Sequence, residues 1–98
     1  MSQQIQLVAR LVPREGREAA LAQAVAAIVP EVLKEPGCLV YTAHDSRERP
    51  GTIVMYEVWE SQAALDVHAA GPNFGILAAR FDELLSEPLA IEPLHRIA

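Results

Sequence analysis

Two periodicities of apolar residues alternate along the chain and predict its elements. The two-residue period predicts strands over residues 4–12, 38–45, 52–60 and 89–97, and the helical period predicts helices over residues 17–34, 62–69 and 72–85. The resulting order is strand, helix, strand, strand, helix, strand, if the last two helical segments count as one unit. That order is typical of a split β-α-β arrangement. We therefore expect an α+β fold, with the helices on one face of a four-stranded antiparallel sheet.

Prolines, glycines and one serine mark where these elements end or change direction. Pro30 lies inside the first helix and predicts a kink or an early last turn, because proline removes a backbone hydrogen bond. Gly37 tolerates an unusual turn conformation, Ser61 is a good helix N-cap, and Pro72 suits a first helical turn. Pro93 predicts that the last strand lies at a sheet edge or contains a bulge.

The third strand is apolar on both faces. One face carries Ile53, Met55 and Trp59, and the other carries Val54, Tyr56 and Val58. A strand with one wet face alternates apolar and polar residues, so both faces of this strand are expected to be covered. The helices cover one face, and a second copy of the chain is the economical cover for the other. The pattern predicts a homodimer packed sheet against sheet, with a cavity between sheet and helices or between subunits.

Composition restricts the possible classes of function. The chain has 98 residues, 51% of them hydrophobic, which predicts one packed domain over residues 1–98. The net charge is −5, and the single lysine and scattered arginines form no basic patch, which argues against nucleic acid and anionic membranes as partners. The absence of a signal peptide or spanning segment, together with the single cysteine, predicts a cytoplasmic location.

Two residues are candidates for the chemistry of a site. Glu57 shares the strand face of Trp59, and a carboxylate is costly to bury without a partner. It indicates either a polar pocket or a structural carboxylate bonded to backbone amides or to an arginine such as Arg10 or Arg80. His68 ends the short helix, and its imidazole can accept a phenolic proton at neutral pH. It can equally be a surface residue or a helix C-terminal cap.

Six further residues are candidates for lining a substrate pocket. The tryptophan can stack on an aromatic substrate or pack in the core or at a dimer interface. The asparagine can bind an oxyanion through its amide, whereas the phenylalanine heads the apolar stripe of a helix and suits the core. The histidines show no metal-binding spacing, so no metal site is predicted. The six candidates are Trp59, Tyr41, Tyr56, His44, Asn73 and Phe74.

Four short segments carry a resemblance to a known family. They are Glu-Pro-Gly-Cys at residues 35–38, Tyr-Glu-Val-Trp-Glu-Ser at 56–61, Ala-Leu-Asp-Val-His at 64–68 and Pro-Asn-Phe at 72–74. In this order and similar spacing they resemble the antibiotic biosynthesis monooxygenase (ABM) domain, and within it the quinol monooxygenase type. The resemblance implies a ferredoxin-like β-α-β-β-α-β fold that assembles as a dimeric α+β barrel.

The resemblance also implies a chemistry. Members related to anthrone and quinol oxygenases need no metal, flavin or haem, because the deprotonated hydroxyaromatic substrate passes an electron to dioxygen itself. The protein then supplies a dry pocket, a base and donors for the developing oxyanion. Other relatives degrade haem or isomerise small sugar-derived signals, so the fold alone does not decide the reaction.

The expected function is therefore that of a homodimeric monooxygenase without cofactor, acting with dioxygen on a quinol-like or polycyclic phenolic small molecule. His68 is the expected base, Glu57 its orienting or electrostatic partner, and Trp59 the stacking surface. One alternative is an isomerase or another non-oxygenase enzyme acting on a small carbonyl compound, for which His44, His68 and Glu57 would share a wet pocket. The other is a dimeric ligand-binding module without turnover.

Overall fold

A computed structural model describes residues 3–98 of the chain and shows four antiparallel strands and four helices. The strands are β1 (Ile5–Leu11), β2 (Cys38–Asp45), β3 (Ile53–Trp59) and β4 (Ala90–Leu94), in the sheet order β2-β3-β1-β4. The helices are α1 (Glu18–Val32), α2 (Gln62–Ala69), α3 (Pro72–Ala78) and α4 (Phe81–Leu84). The expected ferredoxin-like α+β arrangement is confirmed.

Local sequence signals account for several of the helix and strand boundaries. α1 ends at Val32, two residues after Pro30, which agrees with the early last turn predicted there. The Ser61 hydroxyl accepts a hydrogen bond of 3.1 Å from the amide of Ala64 and caps α2. β4 pairs only with β1, so Pro93 lies on an edge strand, where its missing N–H costs little.

The C-terminal part departs from the pattern in two places. The helix expected over residues 72–85 is two helices, because the chain leaves helical geometry at Arg80 (φ −103°, ψ 2°). The last strand ends at Leu94 rather than at residue 97: Leu94 pairs with Gln6, and β1 itself begins at Ile5, so residues 96 and 97 lie beyond the partner strand. A strand without a partner has no ladder to continue.

The core lies between the inner face of the sheet and the helices. That face carries Ile53, Met55, Glu57 and Trp59 of β3, and all four side chains are buried. Tyr56 points to the opposite face and is 39% exposed, because the chain covers that side only in part, although Val58 on the same face is buried. No helix within residues 3–98 is both long and apolar enough to cross a membrane.

Gly37 allows the turn between α1 and β2 to press against α2. Its φ is +83°, and a Cβ atom built there would lie 2.6 Å from Cβ of Ala64 and 2.9 Å from Cγ of Glu60. Its carbonyl also accepts a hydrogen bond of 2.9 Å from the amide of Glu60. Glycine is therefore required for both its backbone conformation and its size. The close approach brings the residues just before Gly37 next to α2.

Gly37→Ala is expected to lower the free energy of unfolding more than Gly16→Ala. Both glycines have φ +83°, so both variants incur the left-handed penalty of about 1–2 kcal/mol. A Cβ at Gly16 meets nothing within 4 Å, whereas at Gly37 the helix must shift, for about 1–3 kcal/mol more. Urea unfolding of the two variants measures the difference, and equal losses would contradict the close approach.

Candidate active site

Three aromatic rings and one carboxylate meet where β2, β3 and α2 come together. The ring centroids of Trp59 and His68 are 4.5 Å apart with the planes tilted by 31°. Tyr41 packs against both rings, with its centroid 5.5 Å from that of His68 and 6.3 Å from that of Trp59. Glu57 is the direct cross-strand partner of Tyr41 and shares the inward face. This cluster contains four of the eight residues that the sequence nominated.

Short-range geometry explains why these side chains converge. Trp59 and Glu57 are two residues apart on β3, so they share a face of the sheet. The Ser61 cap starts α2 just after the strand, and His68 follows Ala64 by four residues, so both lie on one face of that helix. The face that touches Gly37 therefore also carries His68, whose side chain is only 5% exposed.

Glu35, in the turn after α1, binds His68 and was not nominated from the sequence. Its Oε1 lies 3.0 Å from Nδ1 of His68, and its Oε2 accepts a hydrogen bond of 2.9 Å from Nδ2 of Asn73. An ionised carboxylate only accepts, so the proton of neutral His68 lies on Nδ1 and the lone pair on Nε2. The carboxylate hydrogen-bonded to His68 is therefore that of Glu35, whereas Glu57 is bonded to Trp59. The one available signal was its place in the Glu-Pro-Gly-Cys segment, two residues before Gly37.

Glu57 is bonded to the indole of Trp59 and to none of the arginines considered for it. Nε1 of Trp59 donates to Oε1 of Glu57 at 3.0 Å, and the carboxylate residue is 6% exposed. Arg10 and Arg80 instead bond to surface glutamates. Burial raises the pKa of Glu57, although the Trp59 hydrogen bond and the nearby His68 act against that shift. Glu57 therefore stays protonated, and able to donate a hydrogen bond, up to a higher pH than an exposed glutamate does.

The phenol of Tyr41 is held protonated in the same environment. Burial raises its pKa, and the nearby carboxylates of Glu57 and Glu35 raise it further. Tyr41 can therefore donate a hydrogen bond across the whole physiological pH range.

A cavity of about 110 Å³ adjoins this cluster, between the inner face of the sheet and helices α2 and α3. Its wall is almost entirely apolar, and its polar side chains are those of the cluster, which gives it the usual composition of a small-molecule site. The lining residues are Leu7, Ala9, Leu11, Tyr41, Met55, Glu57, Leu65, His68, Ala69, Phe74, Leu77, Leu89 and Ile91.

Trp59 and Asn73 lie behind the wall of the cavity. Trp59 is fully buried (0% exposed), and its ring supports His68 rather than facing the open volume. The amide of Asn73 donates one of its two hydrogens to Glu35, and Asn73 is absent from the lining of the cavity. Phe74 lies on the wall itself, with its ring centroid 5.7 Å from that of His68.

Tyr56 and His44 lie on the other side of the sheet from the cavity. Tyr56 alternates with Met55 and Glu57, so it points away from them. His44 pairs with Val54 on that same outer face, and its Nε2 is 2.8 Å from Oγ1 of Thr42. The expectation that these two residues line the cavity is not met within this chain. No group of three or more His, Cys, Asp or Glu side chains suited to a metal occurs in residues 3–98.

Glu57→Gln is expected to raise the thermal unfolding midpoint near neutral pH, by an amount of the order of a few degrees. Because the folded-state pKa lies above the ordinary 4.5, the folded chain holds the proton more firmly than the unfolded chain. The resulting stabilisation is full below 4.5 and is lost as pH rises through the folded-state pKa. Glutamine avoids that loss and can still accept from Trp59, so the difference from wild type should vanish in acid.

Glu83→Gln is a control for which the expected change in stability near neutral pH has the opposite sign. A hydrogen bond from Arg80 lowers the pKa of Glu83, so its stabilisation is present above 4.5 and lost as pH falls through the folded-state value. This variant should therefore lose stability near neutral pH and match wild type in acid. Melting curves across that range compare both variants, and a gain for Glu57→Gln that persisted in acid would refute the assigned cause.

Comparisons with known proteins place the chain in a family. A model of the antibiotic biosynthesis monooxygenase family matches residues 5–80. Rv0793 of Mycobacterium tuberculosis is 31% identical over 94 residues, covering 96% of this chain and 92% of the relative. Its solved structure superposes with a TM-score of 0.90 at 29% identity and covers 98% of this chain and 97% of the other.

A second solved structure has the same fold as this chain. PA3566 of Pseudomonas aeruginosa gives a TM-score of 0.92 at 31% identity, over 100% of this chain and 98% of the other. The fold, the family match and the full-length similarity point to one conclusion: the chain belongs to the antibiotic biosynthesis monooxygenase family.

Proposed function

We propose that this chain is a cofactor-independent monooxygenase that oxidises a quinol-like or other phenolic small molecule with dioxygen. The observation that carries the proposal is the hydrogen bond between Glu35 and Nδ1 of His68 at the wall of an apolar cavity. In the neutral form of the imidazole, this bond places the proton on Nδ1 and leaves the lone pair of Nε2 to act as the base. Membership of a monooxygenase family supports the reaction class.

The base is His68. Nε2 accepts the proton of a substrate hydroxyl, and the carboxylate of Glu35 stabilises the imidazolium that forms, as the carboxylate does in a catalytic triad. Asn73 holds the other oxygen of Glu35, so the carboxylate keeps its orientation. Glu35 and Asn73 are positioning residues, because they act on the substrate through His68. The phenolate that results is electron-rich enough to reduce dioxygen.

The reaction balances without an external reductant. Hydroquinone and dioxygen give hydroxybenzoquinone and water: one oxygen atom bonds to a ring carbon, and the other leaves as water. All the electrons come from the substrate. The apolar wall accommodates dioxygen and excludes bulk water from the anionic intermediates.

Glu57 and Tyr41 are the donors suited to the charge that develops on oxygen. Burial raises the pKa of each, so each is available in its protonated form more readily than in water. Preorganised donors of this kind stabilise an oxyanion without reorganising during the reaction. A protonated carboxyl buried in an apolar site is a known solution to that task.

The isomerase alternative has less support. It would bring His44, His68 and Glu57 into one wet pocket, but His44 lies on the opposite face and the cavity wall is apolar. A ligand-binding module without turnover needs only the cavity. Measurement of oxygen consumption distinguishes such a binding module from an oxygenase.

His68→Gln is expected to lower the rate of oxygen uptake with hydroquinone substrates by about a hundredfold or more, because the base is lost. Glu35→Gln should lower kcat less, with KM little changed, because the base remains but its imidazolium form is less stabilised. An oxygen electrode measures both, after subtraction of the autoxidation blank.

His44→Gln is the matched control. It makes the same change on the outer face of the sheet and should leave the rate unchanged. Equal rates for wild type and His68→Gln, or no uptake above the blank across a hydroquinone panel, would refute the proposed function.

The homodimer is the second part of the proposal, together with a cytoplasmic location. The chain covers the outer face of the sheet only in part: Val58 is buried, but Val54 is half-buried and Tyr56 is 39% exposed. Packing two such faces about a two-fold axis buries both at once. The small-molecule partners are then the aromatic substrate and dioxygen.

Tyr56→Glu is expected to convert the dimer to a monomer, because a two-fold axis would place two carboxylates within one apolar interface. Ile76→Glu adds the same charge at an exposed position of α3, 64% accessible, and should leave the dimer intact. Multi-angle light scattering distinguishes the species. A monomeric wild type would refute the dimer.

A further inference from the structure

The size of the cavity limits how many fused rings can enter it. Its volume is about 110 Å³. An apolar protein cavity of about 150 Å³ accommodates benzene, so one ring is the scale that this cavity matches. A second or third fused ring needs additional space in the same plane.

The wall cannot readily supply that space. Leu7, Met55 and Leu77 line the cavity and are themselves at most 4% exposed, as part of the packed core. Interiors packed at this density resist added volume. The lining is less buried in two places: on the β4 side, where Ile91 is 57% exposed and Leu89 is partly buried, and on α2, where Ala69 is exposed. A substituent on the ring can point there.

The charges around the cavity act as a second filter. The lining contains no lysine or arginine and one carboxylate, Glu57, and a second carboxylate, that of Glu35, lies directly behind His68. An anionic group on the substrate would be desolvated near two carboxylates without a counter-ion. Burial of an unpaired charge is strongly unfavourable.

We propose that the site selects an uncharged hydroxyaromatic compound of a single ring, bound with its hydroxyl at Nε2 of His68, and that it discriminates against fused-ring and carboxylated phenols. This inference rests on the proposed function and narrows its substrate class. Of the quinol-like and polycyclic candidates, it favours the monocyclic quinols.

Anaerobic calorimetric titration tests the inference through binding, without turnover. Phenol is expected to bind at least about tenfold more tightly than naphthol, because the extra ring overfills the cavity. Para-hydroxybenzamide is expected to bind at least about tenfold more tightly than para-hydroxybenzoate, which has nearly the same shape but carries a charge. Equal affinities within either pair would overturn the corresponding half of the inference.

Two variants test which residues determine the selectivity for size and for charge. Leu89→Ala, at the partly buried edge, should improve naphthol binding relative to phenol, whereas Leu39→Ala, 48% exposed and outside the lining, should leave that ratio unchanged. Glu57→Gln should narrow the gap between hydroxybenzamide and hydroxybenzoate. If Leu39→Ala changed the size ratio as much as Leu89→Ala, the cavity would not be the filter.

Oxygen uptake separates failure of the inference from failure of the function. Uptake that is faster with fused-ring quinols than with monocyclic ones would overturn the inference and leave the monooxygenase proposal standing. The expected binding order without any uptake would support the selectivity and refute the oxygenase. Absence of phenol binding, with uptake or without it, would overturn the inference.

Discussion

The contact between the turn after α1 and helix α2 determines how the site is assembled. Gly37 lets the turn approach Ala64 at a distance that no side chain at position 37 would allow. One helical turn further along α2, His68 then meets Glu35. A single close approach, made possible by a missing Cβ, thus joins two segments 33 residues apart. The rings of Trp59, Tyr41 and Phe74 pack against the imidazole, and the hydrogen bond to Glu35 assigns its tautomer.

The site also concentrates polar groups at the edge of an apolar core, where each must have a partner. No buried side-chain nitrogen or oxygen in residues 3–98 lacks a hydrogen bond. Asn73, Glu35 and His68 form one chain of bonds, and Trp59 and Glu57 form another. These hydrogen bonds hold an imidazole and a carboxylate with a raised pKa beside an apolar cavity. Such an arrangement costs folding stability and is more readily explained by a functional role than by a structural one.

Family membership and cavity geometry constrain the function at different levels. The family match supports a monooxygenase-like protein but does not identify the substrate. In our proposal, the substrate is selected by the volume of the cavity, by the carboxylate of Glu57 in its wall and by that of Glu35 behind His68. The proposed reaction needs little from the protein beyond a base, donors and exclusion of water, because the reducing electrons come from the substrate. Small differences in the wall can therefore change the substrate without altering the fold.

The sequence by itself determined the order of elements, the grouping of Glu57 with Trp59 on one face of β3 and the cap at Ser61, because these follow from local periodicity and backbone chemistry. For the strand that contains Pro93 it left two possibilities, an edge position or a bulge, and the sheet order shows the edge position. It also nominated His68, Glu57, Tyr41 and Phe74, which the fold brings together. Only the tertiary structure shows that Glu35 binds His68, that Trp59 lies behind the wall of the cavity, and that His44 and Tyr56 lie on the outer face of the sheet. These results depend on contacts between residues distant in sequence and on strand register, and no local pattern encodes either.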